Sequence, residues 1–337
     1  MTTALTLSHR RDAMAFREPF RISGYLFESM PAVVATISDG EAAGRGEAAG
    51  VYYLGDDPDH IERELEKYRA RVEAGIERNE LRDLMPPGGA RNALDCALWE
   101  LESLRKNTPV WKLAGGAPPK PLVTTFTLPA EDPAEILRRL GDLPTLKAVK
   151  LKLEGNLASD SERVRVVRAA RPDAWLGVDA NQGYGGDDLD GLVAMLVREK
   201  VLLLEQPVRR GQEALLDNWR SPIPLAADES IQDLVELEAQ HDRFQVLNIK
   251  LDKCGGLTEG LMMAEEARRL GLGVMVGNMV GTSLAMAPAF VLGQACDLVD
   301  LDGPTFLTKD RQPSVQYRDG DIWAGPEVWG SSLASVE

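Results

Sequence analysis

Leu146-Lys147-Ala148-Val149-Lys150-Leu151-Lys152, Trp175-Leu176-Gly177-Val178-Asp179 and Val201-Leu202-Leu203-Leu204-Glu205 are three consecutive apolar runs, each closed by a charged residue. Pro224-Leu225-Ala226-Ala227-Asp228 and Val246-Leu247-Asn248-Ile249-Lys250-Leu251, with Lys253 just beyond, continue the series. The residues Lys152, Asp179, Glu205, Asp228 and Lys253 stand 27, 26, 23 and 25 residues apart, and Asp300-Leu301-Asp302 lies two such intervals further on. An interval near 25 residues is what one strand, one helix and two short loops require. Short apolar runs with polar or Gly/Pro bounds read as strands buried in a parallel sheet. Helical stretches at 161–171, 230–240 and 258–270 alternate with them, with Ser230 and Thr258 as candidate N-caps. The pattern predicts an α/β chain built on a (β/α) barrel whose charged residues gather at the strand ends, where barrel chemistry sits.

The first hundred residues read differently. Leu5 to Phe16 and Met30 to Ile37 have strand character, Ser38-Asp39-Gly40 is a turn, and 58–74 and 90–105 are helical. In the second helix Leu94, Ala97, Leu98, Leu101 and Leu104 form one apolar stripe. Strands followed by helices, ahead of an alternating region, predict a separate α+β domain over 1–115. The barrel is expected over 116–309, with 310–337 returning to the first domain.

Composition narrows the partners. The 337 residues carry 53 acidic against 38 basic side chains, a formal charge of −15. That disfavours nucleic acid, which needs a basic face. Three cysteines without paired spacing, Cys96, Cys254 and Cys296, point to a reducing compartment. No run approaches membrane-spanning length and the first residues lack a signal-peptide core, so a cytoplasmic protein is expected.

Three carboxylates at successive strand ends, Asp179, Glu205 and Asp228, are hard oxygen donors suited to Mg²⁺. Lysines beside them are unusual company. An ammonium is a poor base at its ordinary pKa of about 10.4, but burial or nearby positive charge lowers it. Lys150 shares a strand face with Lys152, so each disfavours the other's charge. Lys152 and Lys253 approach from roughly opposite sides of the inferred metal, a layout for removing a proton from one face of a carbon and returning it to the other.

Lys150-Leu151-Lys152, Val178-Asp179-Ala180-Asn181, Glu205-Gln206-Pro207, Ala227-Asp228-Glu229-Ser230 and Lys250-Leu251-Asp252-Lys253-Cys254-Gly255-Gly256 together resemble the muconate-lactonising subgroup of the enolase superfamily. Ala90-Arg91-Asn92-Ala93-Leu94-Asp95 and Pro109-Val110-Trp111-Lys112-Leu113-Ala114-Gly115-Gly116 extend the resemblance over nearly the whole chain. The resemblance implies a capping domain over a modified TIM barrel, Mg²⁺ on Asp179, Glu205 and Asp228, and Lys152 and Lys253 as the acid/base pair. Asp300 and Asp302 resemble the Asp-x-Asp signature of dipeptide epimerases, in which two carboxylates receive the substrate's free ammonium. Period-two spacing puts both on one strand face. The implied reaction is epimerisation of the C-terminal residue of an L-Ala-Xaa dipeptide through an enediolate, with Lys150 helping to neutralise the carboxylate and Thr127 contacting substrate. A homo-oligomer is implied as well.

Within this resemblance an arginine that pairs with a substrate Glu is expected where the chain has Gly24; Arg21 is a possible substitute, and Tyr25 and Phe27 suit a small or apolar side chain. N-succinylamino-acid racemase, o-succinylbenzoate synthase and muconate cycloisomerase activities are alternatives on the same scaffold, and a non-catalytic metal-bound binding protein is a third. Simpler roles stand beside the functional ones. Lys250 has the opposite strand parity to Lys253 and reads as structural or outward-facing. Asp95 reads as an internal pair and Cys254 as packing. Gly255-Gly256 is a weak phosphate-loop signal, and the Asp300/Asp302 pair has a capping or salt-bridging alternative.

Overall fold

In the computed structural model the chain is described over residues 4–22, 25–143 and 145–330, with backbone alone at 20–22 and 25–26. The N-terminal part pairs β1 (Thr6–Ile22) with β2 (Tyr25–Ser38) and β2 with β3 (Ala43–Ala48), all antiparallel. Both long strands exceed the sequence expectation, because the polar stretch 17–22 continues the ladder after a register shift between Ala15 and Phe20. Helices Pro58–Glu73 and Gly89–Lys106 pack on this sheet, and the short helix Arg78–Leu84, not anticipated, lies between them. Leu94, Ala97, Leu98 and Leu101 are buried against Val33, Ile37, Ile61 and Leu65, as the stripe requires.

After β4 (Leu122–Val123), eight parallel strands follow in order of sequence. They are β5 (Thr125–Leu128), β6 (Ala148–Lys152), β7 (Trp175–Asp179), β8 (Leu203–Glu205), β9 (Leu225–Ala227), β10 (Val246–Lys250), β11 (Gly273–Gly277) and β12 (Leu298–Val299). Helices fill the crossovers, except that β8 and β9 are joined through the 3₁₀ turn Glu213–Leu216. That substitution accounts for the short 23-residue interval between Glu205 and Asp228. The fold is a nearly closed TIM barrel with an antiparallel capping sheet. Alternation along each strand stacks the inward side chains in layers. Leu203, Ala226, Val246 and Met275 plug the floor. Above them Glu205 meets Lys150 and Asn248, Lys152 meets Asp179, and Lys250 meets Asp228.

Three helix starts differ from expectation, the one after β6 lying at Leu157 with Asn156 as N-cap. The helix after β9 begins at Leu234 with Asp233 as N-cap, while Ser230 instead donates to Glu213 at 2.7 Å. The helix after β10 begins at Leu257, and the Thr258 hydroxyl donates to Asp95. That contact is part of the seam between domains. Trp99 Nε1 donates to Thr258 Oγ1 at 3.0 Å, the Thr258 amide to Asp95 Oδ2 at 2.9 Å, and Arg91 Nε to the Gly255 carbonyl at 3.2 Å. Gly255 and Gly256 have φ of 77° and 122°, and a Cβ on Gly256 would meet Asp95 Cβ at 2.5 Å. The glycine pair therefore admits the cap helix against the barrel; a phosphate cradle is not its role.

The C-terminal stretch divides its contacts. β13 (Gln316–Arg318) pairs with β14 (Asp321–Trp323), which adds to β4. The return to the first domain is made by Arg311, whose Nε lies 2.7 Å from Glu47, and by Trp329 and Gly330. Trp329 donates to the Arg45 carbonyl at 2.9 Å, and the Gly330 carbonyl accepts from Val110 N at 2.8 Å. Among the described residues no helix is long and apolar enough to cross a membrane.

Candidate active site

Strand register sets the site. Lys152 is paired with Asp179, and Asp179 with Glu205, so these three side chains leave adjacent strands at one level. Asp179, Glu205 and Asp228 offer oxygens that all lie within 4.8 Å of one another, and the three residues are at most 2% exposed. Glu205 Oε1 accepts from Asn248 Nδ2 at 2.6 Å, whereas Oε2 has no hydrogen-bond partner. Burial and the neighbouring Asp179 push the Glu205 carboxyl up to about 7. A buried carboxylate oxygen with no hydrogen bond and only a 3.4 Å ion-pair contact to Lys150, in a cluster of three carboxylates, fits a hard divalent cation.

Lys152 Nζ lies 2.6 Å from Asp179 Oδ2, and Lys250 Nζ lies 2.6 Å from Asp228 Oδ2. Their strands, β6 and β10, are four apart in an eight-stranded barrel, so the two ammonium groups face each other across the axis. Lys150 sits between them one layer down, hydrogen-bonded to Asp300 and 3.4 Å from Glu205. Burial pulls the Lys150 and Lys250 pKa values down, but the surrounding carboxylates outweigh it: Asp300, Glu205 and Asp179 raise Lys150, and Asp228 and Glu205 lead in raising Lys250. For Lys150 the expected depression is therefore reversed while the carboxylates carry their charge.

Lys253 is elsewhere. β10 ends at Lys250, and Leu251–Cys254 is a helical turn, so strand parity cannot be carried from one lysine to the other. Lys253 is turned inward beneath the loop, where its Nζ meets Asp228 Oδ1 at 2.7 Å, the carbonyls of Ile231 and Asn248 at 3.1 Å each, and the Asp228 carbonyl. It does not line the cavity; Lys250 does. The two lysines thus exchange the positions the sequence reading gave them, Lys250 facing the site and Lys253 bracing the Asp228 loop.

The cavity is about 270 Å³. Lys150, Lys152, Lys250, Asp228, Asp300 and Asp302 form its charged end; Phe16, Phe27, Met30, Met279 and Phe306 form an apolar roof, with Tyr52 and Tyr53 at the side. Asp300 has both oxygens engaged, Oδ1 by the Thr125 hydroxyl and Oδ2 by Lys150. Asp302 Oδ2 accepts the Thr127 amide at 2.6 Å, and Thr127 stands at the cavity wall. Burial and the neighbouring Asp300 push the Asp302 carboxyl up to about 7. Gly24 lies outside the described residues, as do the side chains of Arg21 and Tyr25. Phe27 is in the roof, with its ring centroid 5.2 Å from that of Tyr52. Sequence reading missed Asn248 and Glu229, a buried lining carboxylate whose pKa is pushed up to about 8 by burial and by Asp228. The period-two rule that pairs Lys150 with Lys152 would have found Asn248, which alternates with Lys250 on β10.

Residues 133–327 match the enolase C-terminal domain-like family, and the chain belongs to it. It is an isomerase of the racemase and epimerase kind. L-Ala-D/L-Glu epimerase of Escherichia coli is 35% identical over 313 residues, covering 92% of this chain and 97% of the relative. N-acetyl-D-glutamate racemase of a Pseudoalteromonas species is 38% identical over 250 residues, covering 73% and 78%. Among solved structures, an enolase family member from Agrobacterium tumefaciens with homology to dipeptide epimerases, bound to sodium and L-Ala-L-Glu, superposes with a TM-score of 0.91 at 38% identity, covering 97% of this chain and all of that one.

Proposed function

We propose that this chain is a Mg²⁺-dependent dipeptide epimerase that inverts the α-carbon of the C-terminal residue of an L-Ala-Xaa dipeptide. The observation that carries the proposal is a cross of four groups about the barrel axis. Lys152 and Lys250 occupy one diameter. The carboxylates Asp179, Glu205 and Asp228 and the pair Asp300 and Asp302 occupy the other. A dipeptide's two charged ends fit that second diameter, which leaves the α-carbon between the lysines.

Asp179, Glu205 and Asp228 would hold the ion, which supplies Lewis-acid stabilisation of the negative charge that develops on the substrate carboxylate. Lys150 adds positive charge behind that carboxylate. Lys152 and Lys250 move the proton: the amine form of one Nζ takes it from one face of the α-carbon, and the ammonium of the other returns a proton to the opposite face. Asp302 accepts the substrate ammonium, and the roof excludes water. Incubation with Mg²⁺ and L-Ala-L-Xaa dipeptides in D₂O tests this. Deuterium at the C-terminal α-carbon together with the L,D epimer is expected, and no exchange in any dipeptide would remove the proposal.

A second reading is supported by one feature of the same end of the cavity. Asp300 is fully engaged and Asp302 is raised, so fewer charges await a cation than an Asp-x-Asp pair suggests. An N-acylated amino acid, with an amide in place of the ammonium and its acyl chain under the apolar roof, would suit that arrangement.

A further inference from the structure

The cavity wall nearest Lys250 belongs to the other domain. Residues 49–57 leave β3, cross the barrel mouth and carry Tyr52 and Tyr53 into the cavity wall. On the cap side the loop is fixed by Asp56, whose Oδ2 accepts the Gly89 amide at 2.8 Å and whose Oδ1 lies 2.9 Å from His60 Nδ1. On the barrel side Asp252 Oδ1 accepts two consecutive amides, Ala49 N at 3.0 Å and Gly50 N at 2.9 Å. Gly50 has φ of 76°, the left-handed conformation in which successive N–H groups converge on one anion, and a Cβ there would meet the Asp56 carbonyl at 2.1 Å. Asp252 is 6% exposed and stands two residues after Lys250, in the turn that closes β10.

We propose that Asp252 is a positioning residue: its carboxylate fastens the tyrosine-bearing cap loop to the strand end that carries Lys250, so that the wall over that face of the substrate and the lysine beneath it are set by one side chain. This rests on the active-site reading above. Two amides converging on one buried oxygen hold the loop through that acceptor, which an amide side chain also supplies. Tyr53 Oη also accepts from Gln232 Nε2 of the barrel at 3.5 Å, too long to hold the loop alone.

The test compares Asp252→Ala with Asp252→Asn, which keeps an oxygen on the same two amides. Amide hydrogen exchange of peptides spanning 47–55 is read by mass spectrometry in the full chain with Mg²⁺. Asp252→Ala should speed that exchange at least about tenfold and raise KM about tenfold or more, with kcat changed less than about threefold and Mg²⁺ affinity unaltered. Asp252→Asn should restore KM to within about threefold. Should the Ala protein not fold, Asp252→Ser, whose hydroxyl is too short to span both amides, takes its place with the same expectations. Unchanged exchange in a folded Ala or Ser variant, or an Asn variant as impaired as Ala, would overturn the proposal. The exchange measurement needs no substrate, so it separates failure of this inference from failure of the epimerase reading.

Discussion

Lys250 and Lys253 both touch Asp228, and removing each has an opposite expected consequence. Lys253 is 1% exposed at its side chain and binds one carboxylate oxygen and three carbonyls. Lys253→Met removes a donor from all three carbonyls, of which Asp228 O keeps only the Ile231 amide at 3.4 Å, and takes one of two positive partners from Asp228. Breaking a buried pair from one side costs about 3–5 kcal/mol, and the carbonyls that lose this donor add to it. For a chain of this size that is a fall in Tm on the order of 5–10 °C. Lys250→Met takes an equal partner from Asp228 but frees no carbonyl, so its Tm should fall by less than that of Lys253→Met, while epimerisation stops because one face of the α-carbon has lost its proton carrier. Differential scanning fluorimetry and α-proton exchange in D₂O, run on both variants, read the two effects separately. A Lys253→Met protein of normal Tm that has lost exchange, beside a Lys250→Met protein that still epimerises, would refute the assignment.

Three further outcomes follow from the same contacts. Asp228→Asn should weaken Mg²⁺ binding measured by isothermal titration while far-ultraviolet circular dichroism stays unchanged, and undiminished Mg²⁺ affinity would take Asp228 out of the ion site. Asp302→Asn should lower kcat/KM for a free dipeptide at least about tenfold, or 1.4 kcal/mol, for loss of a charge-assisted contact. Burial raises the Asp95 carboxyl from its ordinary 3.8 to about 6, so folding takes up a proton there. Its contribution to stability is full below about pH 3.8 and is lost as pH rises through 6. Asp95→Asn should flatten the Tm profile between those values, and an unaltered slope would show that Asp95 does not titrate as placed.

The barrel was legible because a parallel sheet buries both faces of every strand, and that demand writes apolar runs at a nearly fixed interval. The three carboxylates were legible because they close those runs. What misled was a boundary. Periodicity from Val246 onward continues smoothly through Leu251 and Lys253, and nothing in the side chains says that the backbone turns helical after Lys250; Gly255-Gly256, which ends that turn, was the available sign. The inward direction of Asn248 was legible from its alternation with Lys250, but its partner was not, because the amide meets Glu205 only once the barrel brings β8 and β10 together. The cap seam was illegible for a similar reason. Asp95, Thr258 and Gly256 are far apart in sequence, and the glycine's purpose appears only when the Asp95 helix lies against it.

The central claim is that the cavity takes a free ammonium at Asp302 opposite a carboxylate held near Asp179, Glu205 and Asp228. Steady-state kinetics with Mg²⁺ on L-Ala-L-Xaa dipeptides, set beside N-acetyl-L-Xaa and N-succinyl-L-Xaa for the same set of Xaa, test it most directly. The account predicts that the free dipeptides have the higher kcat/KM and that acetylating their amine abolishes turnover. Faster racemisation of the N-acyl amino acids would contradict it and give the cavity to the acylated substrate, with the fold, the carboxylate cluster and the Lys152/Lys250 pair left standing.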